Sequence, residues 1–507
     1  MGADVESVLR HVKDADLLIQ LTLVPETRRR YTLPYSSSMP ALLLVPDNPY
    51  FSSPLYEAPF EQASTPSSSG SSIANSEQYF KPHHAAEIVE PLLDHVCAKD
   101  WTTIVVDDGL FRRLISVYLL HQHLTFYQFN KDLFLEDMAA RRTMFCSPLL
   151  HAYKGIADLN KFWLPENLQT RLLLEIERLW KLEEGKSCLT TIHAAMVLYN
   201  VHTSNAMDRE GRFYTLQAIT MANELRIFDQ APAHMKIRLQ RGREYTAWGL
   251  WSWQVSDAYY FRRAPDIKKP PSFAPPDPAT DPSWYGEIYL RYPLSSRLTP
   301  IHYGHLFNAT IGLRKILNDL ALLLYDDQAP TELSNEQLLD IVARFDHWMN
   351  DLPSSLNAQN ISHPAQIQLH AEYYMTLHNL IQSHAAKGSD FFGSDRFYNG
   401  QSAVQTQNNA HIRFETLMRL WCLRHGFSSY DAWVSLFLTY LGNLALNSLE
   451  EDGPETGNPS SSTREFHRST VWPLPNIKIV DNPDSASLNN LLKELRDLTM
   501  TTQQART

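Results

Sequence analysis

Three features of the sequence predict an all-α fold. Apolar residues recur at helical spacing along most of the 507-residue chain, whereas strand-like patterns are confined to residues 102–106 (TTIVV) and 477–480 (IKIV). Hydrophobic residues make up 44% of the chain and charged residues 20%, which is typical of a folded globular protein. Long Pro- and Ser-rich segments separate the helical stretches. We therefore expect an irregular multi-helix array of packed antiparallel helical hairpins with long Pro- and Ser-rich loops.

These segments also divide the chain into regions. Residues 61–76 (EQASTPSSSGSSIANS) bury too little apolar surface to offset their ordering entropy, so they are predicted to be a flexible linker after an N-terminal segment, residues 1–60. Residues 77–449 form the predicted helical domain, with a Pro-rich loop at residues 268–283 that we expect to be mobile or on the surface. Residues 450–507 are predicted to be an acidic, largely disordered tail with a short C-terminal helix.

Capping residues mark the starts of two helices. Asp107 precedes apolar residues at helical spacing, so a helix is predicted to begin there. Ser334 and Gln337 match a capping box, and Pro353 ends the apolar pattern that follows. The apolar residues that share a face are Leu110, Leu114, Val117 and Tyr118 in the first helix, and Leu338, Ile341, Val342, Phe345, Trp348, Met349 and Leu352 in the second.

Residues 190–228 predict an antiparallel helical hairpin. Asn205 and Asp208 supply turn and capping chemistry between two helical patterns. Alanines at matching depth in the two patterns would allow the backbones to approach closely. The predicted faces contain Ile192, Ala195, Met196 and Tyr199 in the first helix, and Phe213, Ala218, Met221, Ala222 and Leu225 in the second.

Residues 243–265 (REYTAWGLWSWQVSDAYYFRRAP) concentrate large aromatic side chains on one predicted helix. Trp248, Trp251, Val255 and Tyr259 follow one side, while Leu250, Trp253 and Tyr260 cover another, so the helix is apolar around most of its circumference. Such a helix belongs in the core of an all-helical body. The alternative is that this segment lines a small-molecule effector pocket, whose candidate residues are Trp248, Trp251, Trp253, Tyr259 and Arg262, with Asp257 and Arg263 also at the polar end.

The net charge and the positions of the cysteines argue against two functions: direct binding of nucleic acid and metal ligation by paired cysteines. The net charge of -11 disfavours binding of a phosphate backbone by this chain alone. The four cysteines, Cys97, Cys146, Cys188 and Cys422, lie too far apart for paired metal ligation and are expected to be reduced, buried thiols. No signal-peptide pattern or membrane-length apolar run is recognisable, which predicts a soluble, intracellular protein.

Catalytic motifs give no support for an enzyme. Phosphate-binding Gly-rich loops, HExxH and GxSxG are absent from the sequence. His121 and His123 would point to opposite sides of a helix, so they do not predict a shared metal site. The acidic doublets at residues 107–108 and 326–327 are interpreted as a helix start and a solvated helix exit. We therefore expect no enzymatic activity and no metal or cofactor in this chain.

Several stretches taken together resemble the fungal binuclear zinc-cluster transcription factors. Residues 246–271 (TAWGLWSWQVSDAYYFRRAPDIKKPP) and residues 190–228 are similar to that family's middle homology region, the fungal-specific transcription factor domain. The stretches similar to its nitrate-assimilation-regulator branch are residues 9–40, 81–96 (KPHHAAEIVEPLLDHV), 110–138 and 145–152 (FCSPLLHA).

The resemblance implies a nuclear, DNA-binding regulator that is usually dimeric and whose helical region controls activation. It also implies zinc in an N-terminal cluster of six cysteines, which this sequence lacks, so no residue here inherits zinc ligation or base contact. The chain is therefore expected to start downstream of a lost or omitted zinc module. Residues 147–162 are shorter than the family pattern, which predicts a clipped helix there.

Three functions follow as hypotheses. The leading one is a transcription regulator without its own DNA-binding cluster, which acts by binding a zinc-cluster-type partner as a homo- or heterodimer, a coregulator or a small-molecule effector. DNA would then be reached only indirectly, or through a missing N-terminal region. A second is a ligand-binding protein or enzyme of a metabolic gene cluster that reuses the helical body. A third is a dominant-negative partner that removes an intact homologue from DNA.

Overall fold

The protein is all-α over the residues that the computed structural model describes. These are residues 39, 43–53, 86–104, 106–146, 168–183, 185–204, 207–292, 297–327, 333–385, 397–425 and 432–451. The chain divides into two compact units, Met1–Tyr440 and Leu441–Thr507, and the described part of the second is the end of one helix. The predicted linker at residues 61–76, the shortened region at 147–162, residues 452–507 of the predicted tail and most of residues 1–60 lie outside the described ranges.

Eleven α-helices lie in the described ranges. In chain order they are α1 (Asp108–His121), α2 (Lys131–Ala139), α3 (Leu168–Glu183), α4 (Leu189–Ser204), α5 (Asp208–Glu224), α6 (Ile237–Tyr260), α7 (Tyr303–Tyr325), α8 (Asn335–Asn350), α9 (Pro364–Ala385), α10 (Ala403–His425) and α11 (Ala432–Glu451). Within the first unit, α4 packs on α5, α9 on α10, and α6 on α7. The long α6 also contacts α4 and α5, so it lies between the hairpin and α7.

A small antiparallel sheet is the described β-structure. Its strands are β1 (Glu87–Ile88), β2 (Tyr289–Arg291) and β3 (Thr299–Pro300), with β2 in the centre. The strand-like pattern at residues 102–106 does not form a strand in its described part, residues 102–104 and 106. The Thr102 amide donates to the Ala98 carbonyl, and the Thr102 hydroxyl accepts from the Ile104 amide. Local turn bonding therefore overrides the β-propensity of Thr, Ile and Val.

Both predicted helix starts are confirmed. The Asp107 carboxylate accepts the Leu110 amide at 2.9 Å at the start of α1. At the start of α8, Ser334 and Gln337 form the reciprocal capping box, and the helix ends at Asn350, just before Pro353. On α1 the predicted buried face is wrong at Val117, which is exposed, because the face that packs is centred on Leu114 and Tyr118.

The predicted helical hairpin is confirmed as α4 and α5. Only residues 205–207 separate the two helices, and this short connection requires an antiparallel arrangement. Small residues lie at the contact: Ala195 and Ala218 are completely buried, and a Cβ added to Gly211 would lie 3.3 Å from the Tyr199 carbonyl oxygen. Phe213 was predicted on the buried face but is 53% exposed, because the packed face of α5 is formed by smaller residues.

The Pro-rich loop (residues 268–283) lies on the surface but is attached to the helices around it. The Asn318 amide donates to the Lys268 carbonyl at 3.1 Å, and the Tyr285 hydroxyl donates to the Pro276 carbonyl. Ser272 donates to the Phe228 carbonyl from both its amide and its hydroxyl. Phe273 is buried against the core, so the loop is packed on the helices at this residue.

The segment at residues 43–53 packs against the α9–α10 pair. The Asn48 amide nitrogen donates to the Thr416 hydroxyl at 2.9 Å. The Tyr50 hydroxyl and His370 Nδ1 are 2.7 Å apart, and His370 Nε2 lies 2.8 Å from the Leu356 carbonyl. Because only a protonated Nε2 can donate to that carbonyl, neutral His370 accepts a hydrogen bond from the Tyr50 hydroxyl at Nδ1.

The cysteines are free thiols in four separate places. Cys146 is buried, whereas Cys97, Cys188 and Cys422 are half-buried, so the prediction of buried thiols holds for Cys146 alone. Four cysteines at separate positions cannot form the six-cysteine zinc cluster of the family that the sequence resembles. In the described ranges no three His, Cys, Asp or Glu side chains are grouped to bind a metal ion.

Gly249 provides a test of the packing of α6. A Cβ on this residue would lie 1.8 Å from the Tyr127 carbonyl oxygen, so Gly249→Ala must displace the backbone of residue 127. We expect a loss of about 1–3 kcal/mol in the free energy of unfolding, as for other overpacked cores. Urea denaturation followed by circular dichroism measures it.

Gly442→Ala is the matched control, because a Cβ there meets no atom within 4 Å and Gly442 also lies inside a helix. Replacing a helical glycine with alanine in open space should leave stability unchanged or raise it by up to about 1 kcal/mol. Equal stability of the two variants would contradict the packing of α6 against residue 127.

Candidate functional site

Helix α6 forms the buried centre around which the candidate site is built. The exposed fraction of the side chain is 1% for Trp248 and 0% for Trp251. Their rings are perpendicular, with centroids 5.6 Å apart, which is a favourable edge-to-face contact. The absence of a Cβ at two glycines allows other groups to pack closely on α6. A Cβ on Gly242 would overlap Phe145, and a Cβ on Gly249 would overlap the backbone of Tyr127. The interpretation of this stretch as a core helix is therefore consistent with its burial.

The five residues proposed for an effector pocket lie in three different surroundings. Trp248 and Trp251 contact each other, and Trp248 also contacts Phe273 of the Pro-rich loop. Trp253 lies on another flank, with its ring 4.4 Å from that of Tyr199 on α4. The remaining two are farther along the chain. Tyr259 contacts Tyr260 and Tyr325, and Arg262 is exposed just after the helix, with φ of 54°.

The polar end of α6 is organised by Arg263, which the sequence did not distinguish from Arg262. Arg263 forms ion pairs with the buried carboxylate of Asp257 and, at 3.0 Å, with Asp266. Arg212 of α5 binds both oxygens of Asp266, at 2.6 and 2.7 Å. The Tyr199 hydroxyl donates to Asp257. Four charged side chains and the Tyr199 phenol thus connect α4, α5 and the C-terminal end of α6.

The protonation states of this cluster follow from its burial and its charges. Burial raises the pKa of Tyr199 to about 12, so its phenol remains a neutral hydrogen-bond donor. Burial also lowers the pKa of Arg263 below the usual arginine value. Burial alone would raise the pKa of Asp266, but the hydrogen bonds and positive charges of Arg212 and Arg263 together outweigh it and lower that pKa. The groups neutralise one another, and we interpret the cluster as a structural connection rather than a reactive centre.

A second charged pair is buried in the core. The guanidinium of Arg314 (α7) binds both carboxylate oxygens of Glu372 (α9), at 2.6 and 2.9 Å. Each of the two side chains is 5% exposed. The Tyr260 hydroxyl also donates to Glu372 at 2.8 Å, and the ring of Trp433 lies 5.7 Å from the guanidinium carbon. Residues from α6, α7, α9 and α11 therefore meet at one ion pair.

Sequence reasoning missed this pair. The available signal was a charged residue on the apolar side of a helix: Arg314 shares helical spacing with Leu317, and Ala371 and Tyr373 flank Glu372. That signal identifies a buried charge that needs a partner. It does not identify the partner, because the two residues are 58 positions apart.

The two indole N–H groups of Trp248 and Trp251 have no hydrogen-bond acceptor among the described residues. Two other tryptophans differ, since Trp101 donates to the Met138 carbonyl at 3.3 Å and Trp348 to the Ala309 carbonyl at 2.9 Å. An unpaired buried donor costs roughly 1–3 kcal/mol. The lack of a described acceptor for these two indole N–H groups is therefore the most unusual chemical feature of α6.

His121 and His123 do not share a helix, because α1 ends at His121. His121 is half-buried at the end of α1, whereas His123 is completely buried with Nε2 3.2 Å from the Tyr303 hydroxyl. The Tyr303 hydroxyl also contacts the Tyr245 hydroxyl, so a chain of buried polar groups connects α1, α6 and α7. The doublet at residues 326–327 follows α7, where Asp326 pairs with Lys268 at 2.5 Å.

Comparison with known proteins identifies one informative similarity. The chain is 27% identical over 292 residues to the notoamide biosynthesis transcriptional activator notL' of Aspergillus versicolor. The similarity covers 54% of this chain and 46% of that protein, so the match spans about half of the relative's length. No protein-family model matches the chain, and no solved structure matches it. The similarity is thus to part of a protein named as a transcriptional activator.

Among the helices of the described ranges, none combines the length and the hydropathy that a bilayer crossing requires.

The buried ion pair gives the second prediction. We expect Glu372→Ala to lower the free energy of unfolding by about 3–5 kcal/mol, because it leaves the Arg314 charge buried without its partner. Tyr260→Phe is the matched control, since it removes one hydrogen bond to Glu372 and should cost only about 1–2 kcal/mol. The double variant Arg314→Met with Glu372→Leu should be more stable than Glu372→Ala. Urea denaturation of all three checks this, and similar losses for both single variants would refute it.

Buried histidines give the third prediction. Burial lowers the pKa of His123, His193 and His363 to about 3, and that of His370 to about 4. The unfolded pKa is about 6.5, so the folded state favours neutral imidazole. The resulting stabilisation is complete above pH of about 6.5 and is lost as the pH falls towards the folded values. The urea midpoint should therefore decrease steadily on acidification.

Replacement of one such histidine should reduce this pH dependence. His193→Gln keeps a polar group near the Thr246 hydroxyl, which lies 2.7 Å from His193 Nε2, but removes the titrating ring. The exposed His347 is the control position, since His347→Gln removes one histidine without changing the buried core. An unchanged slope in the His193 variant would argue against a neutral buried imidazole there.

Proposed function

We propose that this chain is a transcription regulator that acts through its helical body, by binding a partner protein or a small-molecule effector, and does not read DNA through a zinc cluster within these residues. The observation that carries the proposal is the 27% identity over 292 residues to a transcriptional activator. The net charge of -11 and the presence of only four dispersed cysteines support an indirect route to DNA.

The architecture supports the partner-binding part of this proposal. A body of long helices linked by buried polar contacts presents fixed outer faces, as a protein-binding domain requires. The partner we propose is another zinc-cluster-type regulator, either a second copy or a related protein, which would supply the DNA contact. In that role the chain would be a nuclear protein.

A ligand-binding protein is the second candidate. The observation that favours it is that the described residues offer no acceptor to the Trp248 and Trp251 N–H groups, which a bound acceptor would satisfy. This candidate and the regulator are compatible if the ligand is an effector. The two candidates differ in one outcome: in the regulator ligand binding changes transcription, and in a ligand-binding protein of another kind it does not.

A reporter assay tests the regulator. We expect the full chain, fused to a DNA-binding domain of known specificity in a filamentous fungus, to change reporter transcription several-fold relative to that domain alone. Glu372→Ala should abolish the effect by disrupting the core, whereas Tyr260→Phe should retain it. Equal reporter activity with and without the chain, at matched protein levels, would contradict the proposal.

A further inference from the structure

We propose that the Pro-rich loop closes a small-molecule site beside Trp248 and Trp251, in which Phe273 occupies the place of the ligand's aromatic ring. The ligand class is a flat aromatic compound that carries a hydrogen-bond-accepting oxygen. This inference rests on the effector-binding part of the proposed function and specifies where the effector binds.

The acceptor requirement comes from the two indoles. Trp248 and Trp251 are adjacent, fully buried and without acceptors among the described residues, whereas Trp101 and Trp348 donate to backbone carbonyls. Natural cores leave few buried donors unpaired, and those that remain are often found where a ligand or solvent group binds. Two such donors on rings 5.6 Å apart favour an oxygen acceptor as part of the ligand.

The aromatic requirement comes from Phe273. Its ring lies edge-on to that of Trp248, with centroids 6.3 Å apart and an interplanar angle of 88°. Phe273 is 9% exposed, whereas its neighbours Ser272 and Ala274 are exposed, so one ring of the loop is inserted into the helical body. A ligand ring of similar size would make the same contact with Trp248.

The site lies close to the surface. The ammonium of Lys315 is 5.4 Å from the centre of the Trp248 ring, and Lys315 is an exposed residue of α7. Entry of a ligand therefore requires movement of the loop and not separation of the core helices. The nearby cation would also favour a ligand with a partially negative oxygen.

The loop is attached in a way that permits such movement. Gln254 binds the backbone of Asp266 and Ile267 before the loop, and Tyr285 holds Pro276 in its second half. Between these attachments, Lys268 is bonded to Asn318 and Asp326, and Ser272 is bonded to Phe228 and Gln230. Release of the part around Ser272 alone would withdraw Phe273 while Lys268 and Pro276 stay attached.

The first experiment uses the full chain with Phe273→Ala, which removes the internal ring. Acetophenone, which has a phenyl ring and a carbonyl oxygen, is compared with ethylbenzene, which has the ring alone, by isothermal titration calorimetry. We expect acetophenone to bind at least tenfold more tightly than ethylbenzene. Adding Trp251→Phe, which removes one indole N–H, should reduce that preference. Equal affinity for the two compounds, or binding of neither, would overturn the proposal.

The second experiment uses the wild-type chain and does not depend on the folding of a variant. Amide hydrogen exchange at Ser272, whose N–H is bonded to the Phe228 carbonyl, should accelerate at least fivefold in saturating acetophenone. Exchange at Leu338, inside the capped end of α8, is the control and should not change. Unchanged exchange at Ser272 would refute the displacement of the loop. A negative result in either experiment leaves the reporter assay unaffected, so failure of this site is distinguishable from failure of the regulator.

Discussion

The ion pair between Arg314 and Glu372 is the constraint on which the relative positions of the long helices depend. Apolar helix faces can slide past one another at small cost, whereas a buried guanidinium and carboxylate satisfy each other in a narrow range of geometries. Because Tyr260 and Trp433 contact the same pair, α6 and α11 are positioned by it as well. Its main contribution is to choose one packing arrangement, since the desolvation of two charges offsets much of their attraction.

Local features of the fold could be predicted from the sequence, because they depend on residues a few positions apart. The capping box at Ser334 and the cap at Asp107 each need one side chain and a nearby amide. The hairpin of α4 and α5 follows from two helical patterns and a short connection. Phe213 shows the limit of this reasoning: helical spacing places it near a packed face, but the face that packs is decided by the shape of the neighbouring helix.

The candidate site was harder to predict because its parts come from distant segments. The aromatic density of α6 identified Trp248 and Trp251, but their neighbour Phe273 lies in a Pro-rich segment that composition alone describes as a loop. Likewise Arg262 and Arg263 are adjacent and chemically identical in sequence. The left-handed backbone of Arg262 turns the chain so that Arg263 pairs with Asp257 and Asp266, and this turn is a property of the folded helix end.

The attachment of residues 43–53 has a mechanical consequence. Asn48 is bonded to Thr416 on α10, and Tyr50 to His370 on α9, so one short segment bridges both members of the helix pair. If α9 and α10 slid along each other, both hydrogen bonds would lengthen at once, so the segment resists this movement. Glu372 lies two residues after His370 on α9. A displacement of Glu372 would therefore also move His370, which lies within the same turn of α9. Through the bond between His370 and Tyr50, the movement would reach the segment at residues 43–53.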